Sequence, residues 1–428
     1  MTRSIRVLFA IAVVSATFWI GASNVAYAID QTTQPFLALR DLIQEALERN
    51  PELAAARKQW EASSQRIVQA RSLDDPTLSV HLWNFPQTFN VTRADNSIFG
   101  LSQNLPFPGK LALKSDIASR SAEMSEQALR AKERELVARL KQAYYDLFLV
   151  HKAIQIHHEQ VELLRQFVEI ANAKFRTGKG SQADVLKAQV ELSVLHQQLP
   201  VLEQRRETAA ALLNTLRDRN LISPLGIPQE PPLMPLDTTI DDLHGLALNA
   251  RPELKAAELA VRHSEQSRAL AQRQYYPDFN VAFQRFQNFQ ANDGFGAYVA
   301  MTIPFAFWTK PKYDAGVQEA VASVEAARAQ RHMLENLTRF QVKDLLAKVR
   351  ASEQVATLYH TTILPQAVQN LEAARVGYRT GKGGFLDLID TQRAWRGFQM
   401  EYYRALVERE HRLAELEQVI GTDLNGHS

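Results

Sequence analysis

The chain has 428 residues, with 49 Lys and Arg against 47 Asp and Glu, and no cysteine. The missing cysteine excludes disulfides and leads us to expect no lipid-modified N-terminal cysteine. Setting aside Arg3 and Arg6 leaves 49 − 2 = 47 basic residues, a neutral balance without the clustered cation surplus that a nucleic-acid partner requires.

The first segment carries Arg3 and Arg6, an apolar run from Val7 to about Ile20, and Ala26, Tyr27, Ala28 as an A-x-A cleavage site. It reads as a cleavable signal peptide over 1–28. Beyond it no stretch of about 18 residues is uniformly apolar, so any passage through a membrane must use strands of a closed barrel.

From Leu37 to about Leu73 the pattern is helical, with Pro51 kinking or restarting it and Pro76 stopping it. Two alternating runs follow, expected as strands over about 77–85 and 97–107: Leu78, Val80 and Leu82 on one side of the first, and Phe99, Leu101 and Leu105 on one side of the second. A long helix is expected over 111–175. At about 1.5 Å per residue it would reach roughly 100 Å. Leu140, Leu147, Ile154, Val161 and Val168 recur every seven residues, with Ala143, Val150, Leu164 and Ala171 three later, which is a coiled-coil seam. The tip RTGKGS over 176–181 (Arg176, Thr177, Gly178, Lys179, Gly180, Ser181) supplies a glycine C-cap and a turn. Ser181 then caps a return helix over 182–219.

SPLGIPQEPPLMPL, with Pro224, Pro228, Pro231, Pro232 and Pro235, reads as a linker over 223–237. After it the same order returns. ALERNPELAAARKQ faces ALNARPELKAAELA, GLSQNLPFPGK faces AYVAMTIPFAFWTK, and RTGKG at Arg176 recurs at Arg379, 203 residues on. The second half (238–420) therefore reads as an internal repeat of the first (29–222). It has strands near 278–286 and 295–305, a long helix over 312–378, a tip over 379–384 (Arg379, Thr380, Gly381, Lys382, Gly383) and a return helix over 385–419, before a tail over 421–428. Pro200 and Pro365 should kink their helices. RTGKG is not a phosphate loop, because that motif needs Ser or Thr after the lysine and a glycine five residues before it.

Phe279, Val281 and Phe283 share one strand face, as do Ala297, Val299, Met301, Ile303 and Phe305. Aromatic residues gather at strand ends: Trp83, Phe85, Phe89, Phe286, Phe289, Phe295, Phe307 and Trp308. These strands fit either an outer-membrane barrel with aromatic girdles or two amphipathic hairpins of a soluble sheet. Four strands cannot close a barrel, for which about eight is the minimum, so a barrel implies several chains.

Asp387 and Asp390 stand three apart on one helix face, one turn beyond the second tip, where the helix dipole favours them and a purely capping role is the alternative; Asp184 holds the single acidic position after the first tip. His151, His157 and His158 lack the spacing of three or four that metal ligands on a helix prefer. Asp74 and Asp75 read as a solvated turn. No catalytic centre and no cofactor motif is present, so we expect no enzyme.

The order of helix, strand pair, long helix, tip and return helix, given twice, resembles the TolC family of outer-membrane efflux proteins. NPEL and RPEL, PFPGK, both RTGKG tips, ADVL and DLID carry the resemblance, which spans the chain beyond the signal peptide. PFPGK is most similar to the heavy-metal (CzcC-like) branch. The resemblance implies a mainly α fold, with four strands joining a trimeric 12-stranded transmembrane barrel and helical hairpins forming a periplasmic tunnel. It implies a homotrimer that docks by its tips on a periplasmic adaptor served by an inner-membrane pump of RND or ABC type. It also implies an aperture at Asp387, Asp390, Asp184 and Tyr378; the gate arginine of some members would fall at Gly383, where Lys382 is the neighbouring cation. The expected function is a passive efflux duct for heavy-metal cations or drugs, with a polypeptide-secretion duct and a soluble periplasmic coiled-coil scaffold as alternatives.

Overall fold

The computed structural model describes residues 36–83, 96–288, 292–304 and 306–424, and everything below refers to them. The expected signal peptide and the aromatic positions Phe85, Phe89, Phe289 and Phe305 lie outside the described residues. The protein is mostly helical with a few strands.

Chain order begins with β1 (Phe36–Leu37), α1 (Leu39–Arg49) and α2 (Pro51–Arg71). Pro51 restarts the helix: Asn50 leaves helical geometry, and its side chain accepts from the amides of Glu52 and Leu53 at the new N-terminus. Strands β2 (Thr77–Trp83) and β3 (Asn96–Leu105) precede α3 (Lys110–Arg176) and α4 (Gln182–Leu216). Then come β4 (Ile227–Pro228), α5 (Ile240–Ala250), α6 (Pro252–Arg273), β5 (Phe279–Asn288) and β6 (Gly294–Met301). α7 (Lys310–Leu358), a π turn (Tyr359–Ile363), α8 (Leu364–Thr380) and α9 (Phe385–Ile420) finish the chain. The π turn lies immediately before Pro365, whose ring cannot sit against a regular i−4 carbonyl. Pro200, by contrast, lies within the unbroken span of α4.

α3 packs against α4 and α9, and α9 in turn against α7 and α8; α3 also packs against α2 and α6. The heptad seam of α3 is largely buried: Leu140, Ala143, Leu147, Val161, Leu164 and Ala171 are all in the core. Neighbours on two sides widen that seam, so Leu136, Tyr144, Phe148 and Phe167 are buried as well.

The sheet runs β2-β3-β5-β6, antiparallel throughout, and leaves one edge each of β2 and β6 unpaired. Register puts Leu78, Leu101, Phe283 and Ala297 side by side, with Val281 opposite Val299 in the next row. This apolar face is exposed. Two polar residues interrupt it near opposite ends of the sheet: Gln103 donates to the Asp74 carbonyl at 2.7 Å, and Arg285 pairs with Asp293 at 3.4 Å.

Lys110 ties sheet to helices. The residue is 2% exposed, and its ammonium donates to Asp278 at 2.8 Å and to the Tyr276 carbonyl at 2.9 Å, while Asp278 also accepts from the Phe107 amide at 2.7 Å. Phe107 stacks on Tyr276 at 4.6 Å, with the Arg273 guanidinium within 6.0 Å of both rings. Gly109 turns at φ +91, and a Cβ there would lie 2.8 Å from Arg273. PFPGK is thus the junction that closes β3 onto the start of β5.

The segment after α4 is held rather than loose. β4 pairs in parallel with β1, and the Tyr144 hydroxyl links them, donating to the Leu37 carbonyl and accepting from the Gln229 amide. Arg409 of α9, itself buried, donates to the Met234 carbonyl and to Glu353 of α7, and pairs with Glu410.

Candidate functional site at the hairpin tips

Both tips end their first helix in the same way. Gly178 and Gly381 take φ +70 and +77, the left-handed conformation that glycine adopts without steric cost. Thr177 and Thr380 turn their hydroxyls back onto carbonyls of the preceding turn. Gly180 and Gly383 close the loops: a Cβ on Gly180 would meet Lys174 Cβ at 2.9 Å, and one on Gly383 would meet the Gly377 carbonyl carbon at 3.3 Å. A long side chain at 383 therefore has to displace backbone, and glycine fits.

The tips differ at the start of the return helix. In the first, Ser181 Oγ accepts from the Asp184 amide at 3.1 Å. In the second, the cap residue is Gly384, and Asp387 reaches back to accept from its amide at 3.2 Å. Arg176, Lys179, Arg379 and Lys382 are exposed and have no ion pair among the described residues, so four cations gather at this end.

Tyr378 joins the two hairpins. It is 3% exposed, stacks edge-on against Phe385 at 5.2 Å, and carries the Lys174 ammonium 4.4 Å from its ring centre. Lys174 also donates to the Tyr378 carbonyl, and the Tyr378 hydroxyl donates to Asp184 at 3.4 Å. Burial, then the charge of and hydrogen bond to Asp184, push the phenol up to about 12. It therefore stays protonated and able to donate. Beneath it, Val161, Leu164, Phe167, Val185, Leu388 and Ile389 form an apolar core shared by both hairpins.

Of the expected aperture residues, the structure brings Asp184 and Tyr378 together. Asp387 and Asp390 are exposed on α9. Asp390 lies 3.5 Å from Arg393, whose main partner is Glu191 of α4; that ion pair raises the guanidinium pKa. Lys382 reaches no carboxylate. Sequence reasoning missed Lys174, Arg393 and Glu191, and also the buried amide relay from Gln392 to Gln160 (2.6 Å) and from Gln160 to Gln399 (3.2 Å). A signal existed for one of these: Glu191 and Arg393 follow their tips at nearly the same distance and carry opposite charges.

His157 is buried, and its pKa is lowered by burial first, then by His158, His196 and Arg396. No group of three or more His, Cys, Asp or Glu among the described residues is arranged to hold a metal ion. No described helix is long and apolar enough to cross a membrane.

Comparison with known proteins supplies the context. Residues 42–217 and 243–422 match the family described as outer membrane efflux protein. The cobalt-zinc-cadmium resistance protein CzcC of Cupriavidus metallidurans is 23% identical over 404 residues, 90% of each chain. Among solved structures, the channel CusC superposes with a TM-score of 0.77 at 17% identity, covering 91% of this chain and 94% of that one. The open state of the MtrE outer membrane channel of Neisseria gonorrhoeae superposes with a TM-score of 0.72 at 19% identity, covering 91% and 90%. With two matched segments that together span most of its length, the chain belongs to the outer membrane efflux protein family.

Proposed function

We propose that this chain is the outer-membrane duct of a tripartite efflux system, passive in itself, that conducts what an inner-membrane pump expels through a periplasmic adaptor. The observation that carries it is the sheet: an exposed apolar face, bounded by Gln103 and Arg285, with unpaired edges on β2 and β6. Unpaired strand edges are untenable in lipid, so the sheet demands further strands from identical copies. Three copies would supply 3 × 4 = 12 strands and ring the helical layers into a tunnel. The two halves then act as internal repeats, and the signal peptide delivers the chain to the periplasm without a lipid anchor.

Asp184, Tyr378, Asp387 and Asp390 form the aperture in this reading, with Lys382 at its rim. Arg176, Thr177, Gly178, Lys179 and Gly180, with Arg379, Thr380, Gly381 and Gly383, present the adaptor-docking surface. Heavy-metal cations are the favoured cargo, supported by the name of the cobalt-zinc-cadmium resistance relative.

The test is fractionation followed by bilayer recording. The full chain should pellet with the outer membrane, run as a detergent-resistant trimer, and open cation-conducting channels in planar bilayers. Release by an alkaline wash, with no conductance, would identify a periplasmic scaffold instead.

A further inference from the structure

Between α4 and α9, over the face of α3, lies a cavity of about 360 Å³. Its floor is apolar, made by Leu149, Val150, Ala153 and Ile156 of α3, and Leu202 and Met400 add to the walls. Arg205, Arg396 and Arg404 line it together with a single carboxylate, Glu401, which is already paired with Arg404. Two guanidinium charges remain. Arg205 has no ion pair among the described residues, and the only hydrogen-bond partner of Arg396 is the neutral amide of Gln198 at 3.5 Å. Burial pushes the Arg396 pKa down, although Glu191 acts against it. A half-buried guanidinium whose one hydrogen-bond partner is weak and neutral carries a desolvation cost that Glu191 offsets only in part, and an anion in the groove would relieve the rest.

We propose that this groove binds a single-chain anionic amphiphile, its carboxylate or sulfate head at Arg205 and Arg396 and its tail along the α3 floor. Three features select this occupant. The apolar floor and the two guanidiniums line the same groove, which matches a ligand that has both a tail and an anionic head. The Arg393–Glu191 pair spans α9 to α4 on the tip side and closes that end. A cavity of this size lies in the range of small-ligand pockets and suits a short acyl chain. The inference is independent of the channel reading, since it needs only the α3, α4 and α9 geometry.

The experiment titrates the full-length protein, reconstituted in zwitterionic nanodiscs, with decanoate, decanol and acetate, and subtracts partition into empty nanodiscs. Decanoate should bind at least about tenfold more tightly than either control, because head and tail both contribute. Arg396→Gln and Arg205→Gln should each weaken decanoate about tenfold, the loss of one charge-assisted contact. Ala153→Leu, which fills the floor and keeps both charges, should weaken it as well. Equal decanoate affinity in the double arginine variant, or decanol binding as tight as decanoate, would overturn the proposal.

Discussion

The Tyr378 hydroxyl donates to the Asp184 carboxylate across 3.4 Å, and through that contact the second hairpin tip is fastened to the first. The bond is long, so it contributes at most about 1 kcal/mol. Removing it while keeping the ring on Phe385 and under Lys174 isolates its role. Tyr378→Phe should leave assembly unchanged and raise the open probability of single channels up to about fivefold. An unchanged open probability in planar-bilayer recordings would remove Tyr378 from the gate.

Arg393 bridges to Glu191 of the other hairpin and to Asp390 of its own helix. With Arg393 half-exposed, the bridge is worth no more than about 1 kcal/mol and should fade with salt. Arg393→Gln should therefore increase open probability most at low ionic strength, and the difference from the native channel should shrink toward 1 M salt. A salt-independent effect would point to packing rather than charge.

Asp387→Asn together with Asp390→Asn should weaken divalent-cation block of the channel, because both carboxylates are exposed just beyond the second tip. Asp390 is partly neutralised by Arg393, so Asp387→Asn alone should account for most of the change. Block constants measured for the single and double variants in planar bilayers decide this.

Lys110 is buried and Asp278 is its only carboxylate partner among the described residues. Asp278→Ala strands the ammonium with one carbonyl and should cost about 2 kcal/mol, less than a fully buried pair because Asp278 is partly open to water. The expected readout is a fall of several degrees in the dissociation temperature of the assembled protein. Lys110→Met should cost less, since no buried charge is left behind.

His411 of α9 contacts Asp146 of α3 at 3.3 Å and the Gln142 carbonyl at 3.2 Å. Burial would lower its pKa, but the hydrogen bond and charge of Asp146, with the carbonyl, outweigh burial and raise it. A raised folded-state pKa means stabilisation that is complete below the ordinary imidazole range and lost as pH climbs through the folded value. Thermal stability should therefore fall as pH rises from about 6 upward, and His411→Gln should flatten that slope.

Much of the fold was legible because periodicity records burial. The seven-residue recurrence from Leu140 marks the packed face of α3, and alternation from Leu78 to Leu82 marks a strand with one apolar face. What periodicity could not reveal is which distant groups meet. Ser102 and Ala282 are opposite each other in the sheet, yet no local pattern announces that β3 pairs with β5. Lys110 looked like the end of a motif and proved to be a buried cation, because its partner, Asp278, lies 168 residues away. At the tips, the glycines and Asp184 could be read from spacing and resemblance. The Lys174 contact to Tyr378 could not, since it depends on how two hairpins lean together.

Arg409 has a consequence in time as well as in space. It grips the Met234 carbonyl and Glu353 from a position near the C-terminal end, while the segment it grips lies midway along the chain. Synthesis runs from the N-terminus, so the midway crossing is made long before its clasp exists. Until the last helix arrives, Glu353 and the Met234 carbonyl await their shared donor. The final helix thus adds the last clasp, and truncation within it would leave a crossing far upstream to its earlier ties, the β1–β4 pairing and the Tyr144 hydroxyl.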